Sequence, residues 1–136
     1  MTQVRTEPVR VLIVDDSSES RDVCVRLLGR LGYPCEAVTG GPEALEALQR
    51  IRYGLVLMDC EMPEMDGFET VAAIRQLERN DGHPPVIALT GLDTEENRTR
   101  CLEAGMVDFI AKPFTIKTLK EKLAIHCVSH GESTDG

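Results

Sequence analysis

Short apolar runs alternate with amphipathic stretches along this chain, and that alternation leaves few architectures open. The runs are Val11-Leu-Ile-Val14, Leu55-Val-Leu-Met58, Val86-Ile-Ala-Leu89 and Phe109-Ile-Ala111, with a shorter segment from Cys35 to Val38. Residues apolar at every position, rather than at every second one, suit strands buried on both faces, as in a parallel sheet. Between the runs, Ser18 to Leu31 places Cys24, Leu27, Leu28 and Leu31 on one helical face, with Gly32 as a stop signal. Gly41-Pro42 opens a second helix, Pro in its first turn and Leu45, Leu48 and Ile51 turned inward. A third helix after Gly67 presents Phe68, Val71, Ala72 and Ile74 or Arg75. A fourth runs from Thr94 to Ala104, and Ile116, Leu119 and Leu123 mark a fifth.

Five β-α units with short connections predict an α/β fold: a single doubly wound (βα)5 domain with right-handed crossovers and a flavodoxin-like parallel sheet of order 2-1-3-4-5. The 136 residues have room for one such domain, expected over residues 9–128. Residues 1–8 read as a leader, and the small, polar residues 129–136 as a disordered tail.

Charge and composition narrow the function. A formal charge of -8 opposes capture of nucleic acid, which needs clustered Lys and Arg against the phosphates. No apolar run approaches the length of a membrane span, and no secretory signal precedes the first strand, so a cytoplasmic protein is expected. The five cysteines lack any Cys-x-x-Cys pair or zinc-ligand spacing and read as reduced, mostly buried thiols. His83, His126 and His130 show no ligand spacing either and read as surface residues.

The chemistry lies at the strand ends. Asp15 and Asp16 follow the first run, Asp59 the third strand, Thr90 the fourth, and Lys112 precedes Pro113 after the fifth. Open parallel sheets bind ligands at that edge. Each group alone has a plainer use: an Asp pair as turn and helix cap, Thr bonded to backbone, Lys-Pro as a common dipeptide. Their joint occurrence is what points to a site. In a 2-1-3-4-5 sheet the first and third strands adjoin, so Asp15, Asp16 and Asp59 converge. Such a carboxylate cluster suits a hard divalent cation, magnesium rather than zinc, with manganese as the alternative ion. A carboxylate can also attack phosphorus and form an acyl phosphate if positive charge meets the phosphoryl oxygens, a task for the cation and Lys112, with the Thr90 hydroxyl as a hydrogen-bond partner.

These motifs, above all Met58-Asp-Cys-Glu-Met-Pro-Glu-Met-Asp-Gly67 with the distant Asp pair, Thr90 and Lys112-Pro113, resemble those of the response-regulator receiver domains of two-component signalling, over roughly residues 9 to 128. The resemblance implies that Asp59 is the phosphoacceptor. It implies that Asp16 and Asp59 bind magnesium directly, Asp15 through water, and that the backbone carbonyl of Glu61 completes the protein ligands. It makes Thr90 and Phe109 a switch pair, the Lys112–Pro113 peptide bond cis, and the side chains of Glu61 and Leu92 modulators of rate. An aromatic in a terminal strand is also what simple core packing uses, so both readings of Phe109 stand.

The implied function is a switch phosphorylated by a sensor histidine kinase or a histidine phosphotransfer protein, which then presents an altered α4-β5-α5 surface to a downstream protein. It is not an enzyme acting on a separate substrate. Three alternatives carry less. A flavodoxin-like electron carrier needs a phosphate loop of bare donors where Asp15 and Asp16 stand. A magnesium-dependent aspartate-nucleophile phosphatase needs Asp-x-Asp after the first strand. A degenerate receiver, binding partners without phosphorylation, fits poorly with Asp59, Thr90 and Lys112 all present. The stretch around Asp59 looks like receivers fused to hybrid histidine kinases, whereas Met1 with its short leader suits a stand-alone regulator, either a monomer or a phosphorylation-induced dimer.

Overall fold

Successive side chains of each strand go to opposite faces of one sheet, and both faces are apolar. In the computed structural model, residues 9–60, 67–76, 84–91 and 94–127 are described. The element order is β1 (Val11–Val14), α1 (Ser18–Leu31), β2 (Cys35–Val38), α2 (Gly41–Arg50), β3 (Leu55–Asp59), α3 (Gly67–Arg75), β4 (Val86–Thr90), α4 (Glu95–Ala104), β5 (Asp108–Ala111) and α5 (Ile116–His126). All strand pairings are parallel, in the order β2-β1-β3-β4-β5, as the alternation predicts. Residues 1–8 and 129–136, to which the leader and tail were assigned, lie outside the described residues.

The two faces divide the helices between them. Val11, Ile13, Leu55, Leu57, Ile87 and Leu89 pack with Cys24 and Leu28 of α1 and Leu119 and Leu123 of α5. Leu12, Val14, Val56, Met58, Val86 and Ala88 pack instead with α2, α3 and Cys101 of α4. Ser17, Thr94 and Thr115 cap α1, α4 and α5, each side chain accepting from a backbone N–H inside the first turn.

Three expectations shift in detail. In α2 the most buried residues are Ala44, Ala47 and Leu48, with Leu45 and Ile51 only half-buried. Alanine carries little hydrophobic signal but lets a helix approach the sheet closely. In α3 Ala72 is exposed, while Thr70 joins Val71 and Ile74 in the interior. His126 is not a free surface residue: Nε2 lies 2.9 Å from Asp108 Oδ2, and Lys122 Nζ is 2.9 Å from Oδ1 of the same carboxylate.

Helix α4 has an unusual attachment. Cys101 is its one buried side chain, and that thiol meets Cys60, the residue after Asp59. Other holds are polar: the Arg100 guanidinium lies 3.9 Å from the Phe68 ring centre, and Arg75 Nη1 donates to the Ala104 carbonyl at 3.4 Å. Gly105 ends the helix at φ 107°, a backbone conformation that calls for glycine. Leu57→Ala, at a fully buried position, is expected to cost about 2–5 kcal/mol in urea unfolding. Leu102→Ala, on the exposed side of α4, is expected to change stability by about 0.5 kcal/mol or less. Equal losses would contradict this core.

Candidate functional site

Parallel register brings the C-terminal ends of β1, β3, β4 and β5 to one edge, and the polar residues stand there. Asp15 directly follows β1; its N–H continues the ladder by donating to the Val38 carbonyl at 3.1 Å. Its Oδ1 accepts from the Ser17 N–H at 2.9 Å, so one carboxylate oxygen shapes the turn into α1 and the other faces the site. Asp59 and Thr90 are the last residues of β3 and β4, each one place further into the ladder than the apolar runs suggest. Lys112 follows β5, tied by its N–H to the Thr90 carbonyl at 2.8 Å, and the Lys112–Pro113 bond is cis.

One carboxylate oxygen from each of Asp15, Asp16 and Asp59 lies within 4.8 Å of the others. Asp15 and Asp59 are buried, and Asp16 is exposed. Lys112 Nζ reaches into the cluster, 3.3 Å from Asp15 Oδ2 and 3.7 Å from Asp59 Oδ1. Among the described residues one ammonium stands against the three carboxylates, and the donors are all hard oxygens with Asp16 open to solvent. That donor set fits a magnesium-type cation retaining water ligands. Burial pushes the neighbouring Cys24 thiol up to about 11, the Asp15 charge adding to it, so this sulfur stays protonated and outside the ligand set.

Thr90 is buried and accepts a hydrogen bond from Asn97 Nδ2 of α4 at 3.1 Å. Phe109 is half-buried against the α2–α3–α4 face, its ring 4.5 Å from the Arg98 guanidinium and 5.8 Å from Lys122 Nζ. Asn97 and Arg98 were missed from sequence. Their signal was faint: polar residues one to two turns beyond Thr90 on a helix with almost no apolar stripe. Glu61 and Leu92, expected to supply a carbonyl ligand and to tune rates, lie outside the described residues. Beside Lys112 a groove of about 460 Å³ opens between α1 and the start of α5, lined by Glu19, Ser20, Val23, Lys112, Pro113 and Phe114.

A sequence model of the response regulator receiver domain matches residues 11–124, so the chain belongs to that family. Receiver domains are in general signalling switches rather than enzymes that turn over a separate substrate. Over 119 residues the chain is 38% identical to hybrid signal transduction histidine kinase B of Dictyostelium discoideum, an alignment covering 80% of this chain and 6% of the kinase. The solved chemotaxis protein CheY4 of Vibrio cholerae superposes with a TM-score of 0.82 at 32% identity, covering 88% of this chain and 99% of that one. The receiver domain of a Pseudomonas aeruginosa sensor histidine kinase, solved with magnesium coordinated in its active-site cleft, has a TM-score of 0.79 at 35% identity, covering 88% and 98% of the two chains. The chain spans only 6 to 13% of the length of such curated histidine kinases. No helix among the described residues is long and apolar enough to cross a membrane.

The Lys112 ammonium carries a pH signature. Burial lowers its pKa, and the Asp59 and Asp15 charges outweigh that, leaving it above the ordinary 10.5. A group with a raised folded-state pKa contributes its full stability below the unfolded value and loses it as pH climbs through the folded one. The difference in unfolding free energy between wild type and Lys112→Met is therefore expected to hold steady at neutral pH and shrink above 10.5. A difference unchanged through that alkaline range would contradict the pairing.

Proposed function

We propose that this chain is a phosphorylation-activated switch that accepts a phosphoryl group on Asp59 from a phosphohistidine of a sensor histidine kinase or a histidine phosphotransfer protein. The observation that carries this reading is the placement of the Lys112 ammonium, 3.7 Å from Asp59 and 3.3 Å from Asp15 within a three-carboxylate cluster. An Asp59 oxygen forms the bond to phosphorus as the donor's P–N bond breaks, and that bond's electron pair stays with the imidazole. Asp15, Asp16 and Asp59, with the Glu61 carbonyl, would hold magnesium or manganese, which supplies positive charge against the phosphoryl oxygens. Lys112 supplies charge from the other side, and Thr90 donates its hydroxyl proton to a phosphoryl oxygen. Hydrolysis of the acyl phosphate resets the protein, with Glu61 and Leu92 setting access and charge for water.

The new group adds about -1.5 to -2 charges at one point. Thr90 is drawn inward, Phe109 turns toward the vacated space, and α4, β5 and α5 offer a different surface to a downstream protein. Kinship to hybrid kinases favours relay through a phosphotransfer histidine. The protein acts in the cytoplasm, as a monomer or as a dimer formed on phosphorylation, and residues 9–128 constitute the working unit.

Intact-mass spectrometry after incubation with magnesium and a small acyl-phosphate donor tests this. A single phosphoryl adduct is expected, lost with EDTA and lost in Asp59→Asn. Absence of an adduct with both the small donor and phosphorylated histidine kinases would sink the reading and leave a phosphorylation-independent binding module.

A further inference from the structure

Every polar atom of Asp15 is engaged. Its N–H donates to the Val38 carbonyl at the end of β2 at 3.1 Å, Oδ1 accepts from the Ser17 N–H at 2.9 Å, and Oδ2 lies 3.3 Å from Lys112 Nζ. The remaining atom, the backbone carbonyl oxygen, accepts from Arg21 Nη1 of α1 at 3.0 Å. That carbonyl belongs to the peptide unit joining Asp15 to Asp16, so Arg21 fixes the unit through which the chain reaches the second carboxylate of the cluster. Asp16 is exposed, and among the described residues it makes no hydrogen bond or ion pair of its own.

The place of Arg21 on α1 is unusual for a charged residue. It precedes the buried Cys24 and Leu28 at helical spacing, so it continues the inward face of the helix by one turn, where an apolar side chain is the ordinary choice. Its own N–H donates to the Ser17 carbonyl, which puts it at the end of the first turn, near the positive end of the helix dipole. Glu19, in the same turn, has the charge that end favours. Helical side chains lean toward the N-terminus, and Arg21 thereby reaches back over the first turn to the Asp15 carbonyl.

We propose that Arg21 is a positioning residue for the cation site: by holding the Asp15 carbonyl it sets the Asp15–Asp16 peptide unit so that the Asp16 carboxylate faces those of Asp15 and Asp59. This rests on the reading that the three acids hold magnesium or manganese. Their oxygens lie within 4.8 Å of one another, although like charges repel. A peptide unit free to rotate would let the exposed Asp16 swing toward water, and binding an ion would then cost the freedom of that segment. Holding the unit in advance removes that cost. Charge acts in the opposite direction, because a guanidinium near a divalent cation repels it. Loss of Arg21 therefore weakens cation binding if it positions Asp16, and tightens it if charge is its main influence.

The full chain is titrated with manganous ion, whose free aqua form gives an electron paramagnetic resonance signal that is lost on binding, and magnesium is then added as competitor. Wild type is expected to bind one ion saturably and release it to magnesium. Arg21→Met, which keeps the stem but has neither donor nor charge, is expected to bind both ions about tenfold more weakly, the lower end of the effect of groups that orient metal ligands. Arg21→Lys, which keeps a donor, is expected to fall between the two. Unchanged affinity in Arg21→Met reduces the contact to a tether of the loop, and tighter binding makes Arg21 a nearby charge only; either overturns the positioning role while leaving the cation site intact. A wild type that binds neither ion overturns the cation reading and this role with it. If circular dichroism shows Arg21→Met unfolded, the shorter, uncharged Arg21→Gln takes its place under the same expectations.

Discussion

Three carboxylates meet at the edge of β1 and β3 with one ammonium among them, and the rest of the molecule is arranged around that imbalance. Two of the acids are buried, where an uncompensated charge is costly. Lys112 offsets part of the repulsion, but it can reach the cluster only because β5 ends level with Thr90 and the chain then turns at Pro113. The pairing spans 97 positions in sequence and depends on the complete sheet order. A remaining deficit of positive charge is what makes the edge fit a divalent cation.

The same sheet separates chemistry from response. Asp15 continues the Val11, Ile13 series and Asp59 the Leu55, Leu57 series, on the face that α1 and α5 cover. Thr90 and Phe109 continue the opposite series, toward α4. Helix α4 meets the rest of the fold through one buried thiol, two stacked guanidiniums, the Asn97 hydrogen bond and the Arg75 contact to its last carbonyl, among other contacts.

Much of the fold was legible in the sequence because fully buried parallel strands leave an unmistakable mark. Val11 to Val14 and Leu55 to Met58 are apolar throughout, and helices with Gly or Pro punctuation separate them. The convergence of Asp15, Asp16 and Asp59 followed from the order 2-1-3, and the position of Lys112 from the strand it follows. What escaped were features with no hydrophobic signature. Ala44 and Ala47 line the interior of α2 yet look neutral beside Leu45. Thr70 is buried, though threonine predicts the surface. His126 has no ligand spacing because its partner, Asp108, belongs to a neighbouring element. The contacts of Asn97 and Arg98 are equally nonlocal, set by how α4 lies across β4 and β5, and no run of residues encodes that directly.

The central claim is that the clustered acids form a cation site whose occupation completes the charge balance. Thermal unfolding during a magnesium titration tests it most directly, in wild type, Asp15→Asn and Asp16→Asn. A ligand bound only by the folded state stabilises by about 2.7 kcal/mol at a hundred times its Kd. The account predicts a saturable rise in wild-type Tm, strongly reduced in both variants. A wild-type Tm that ignores magnesium, or that rises equally when either carboxylate is neutralised, would contradict it.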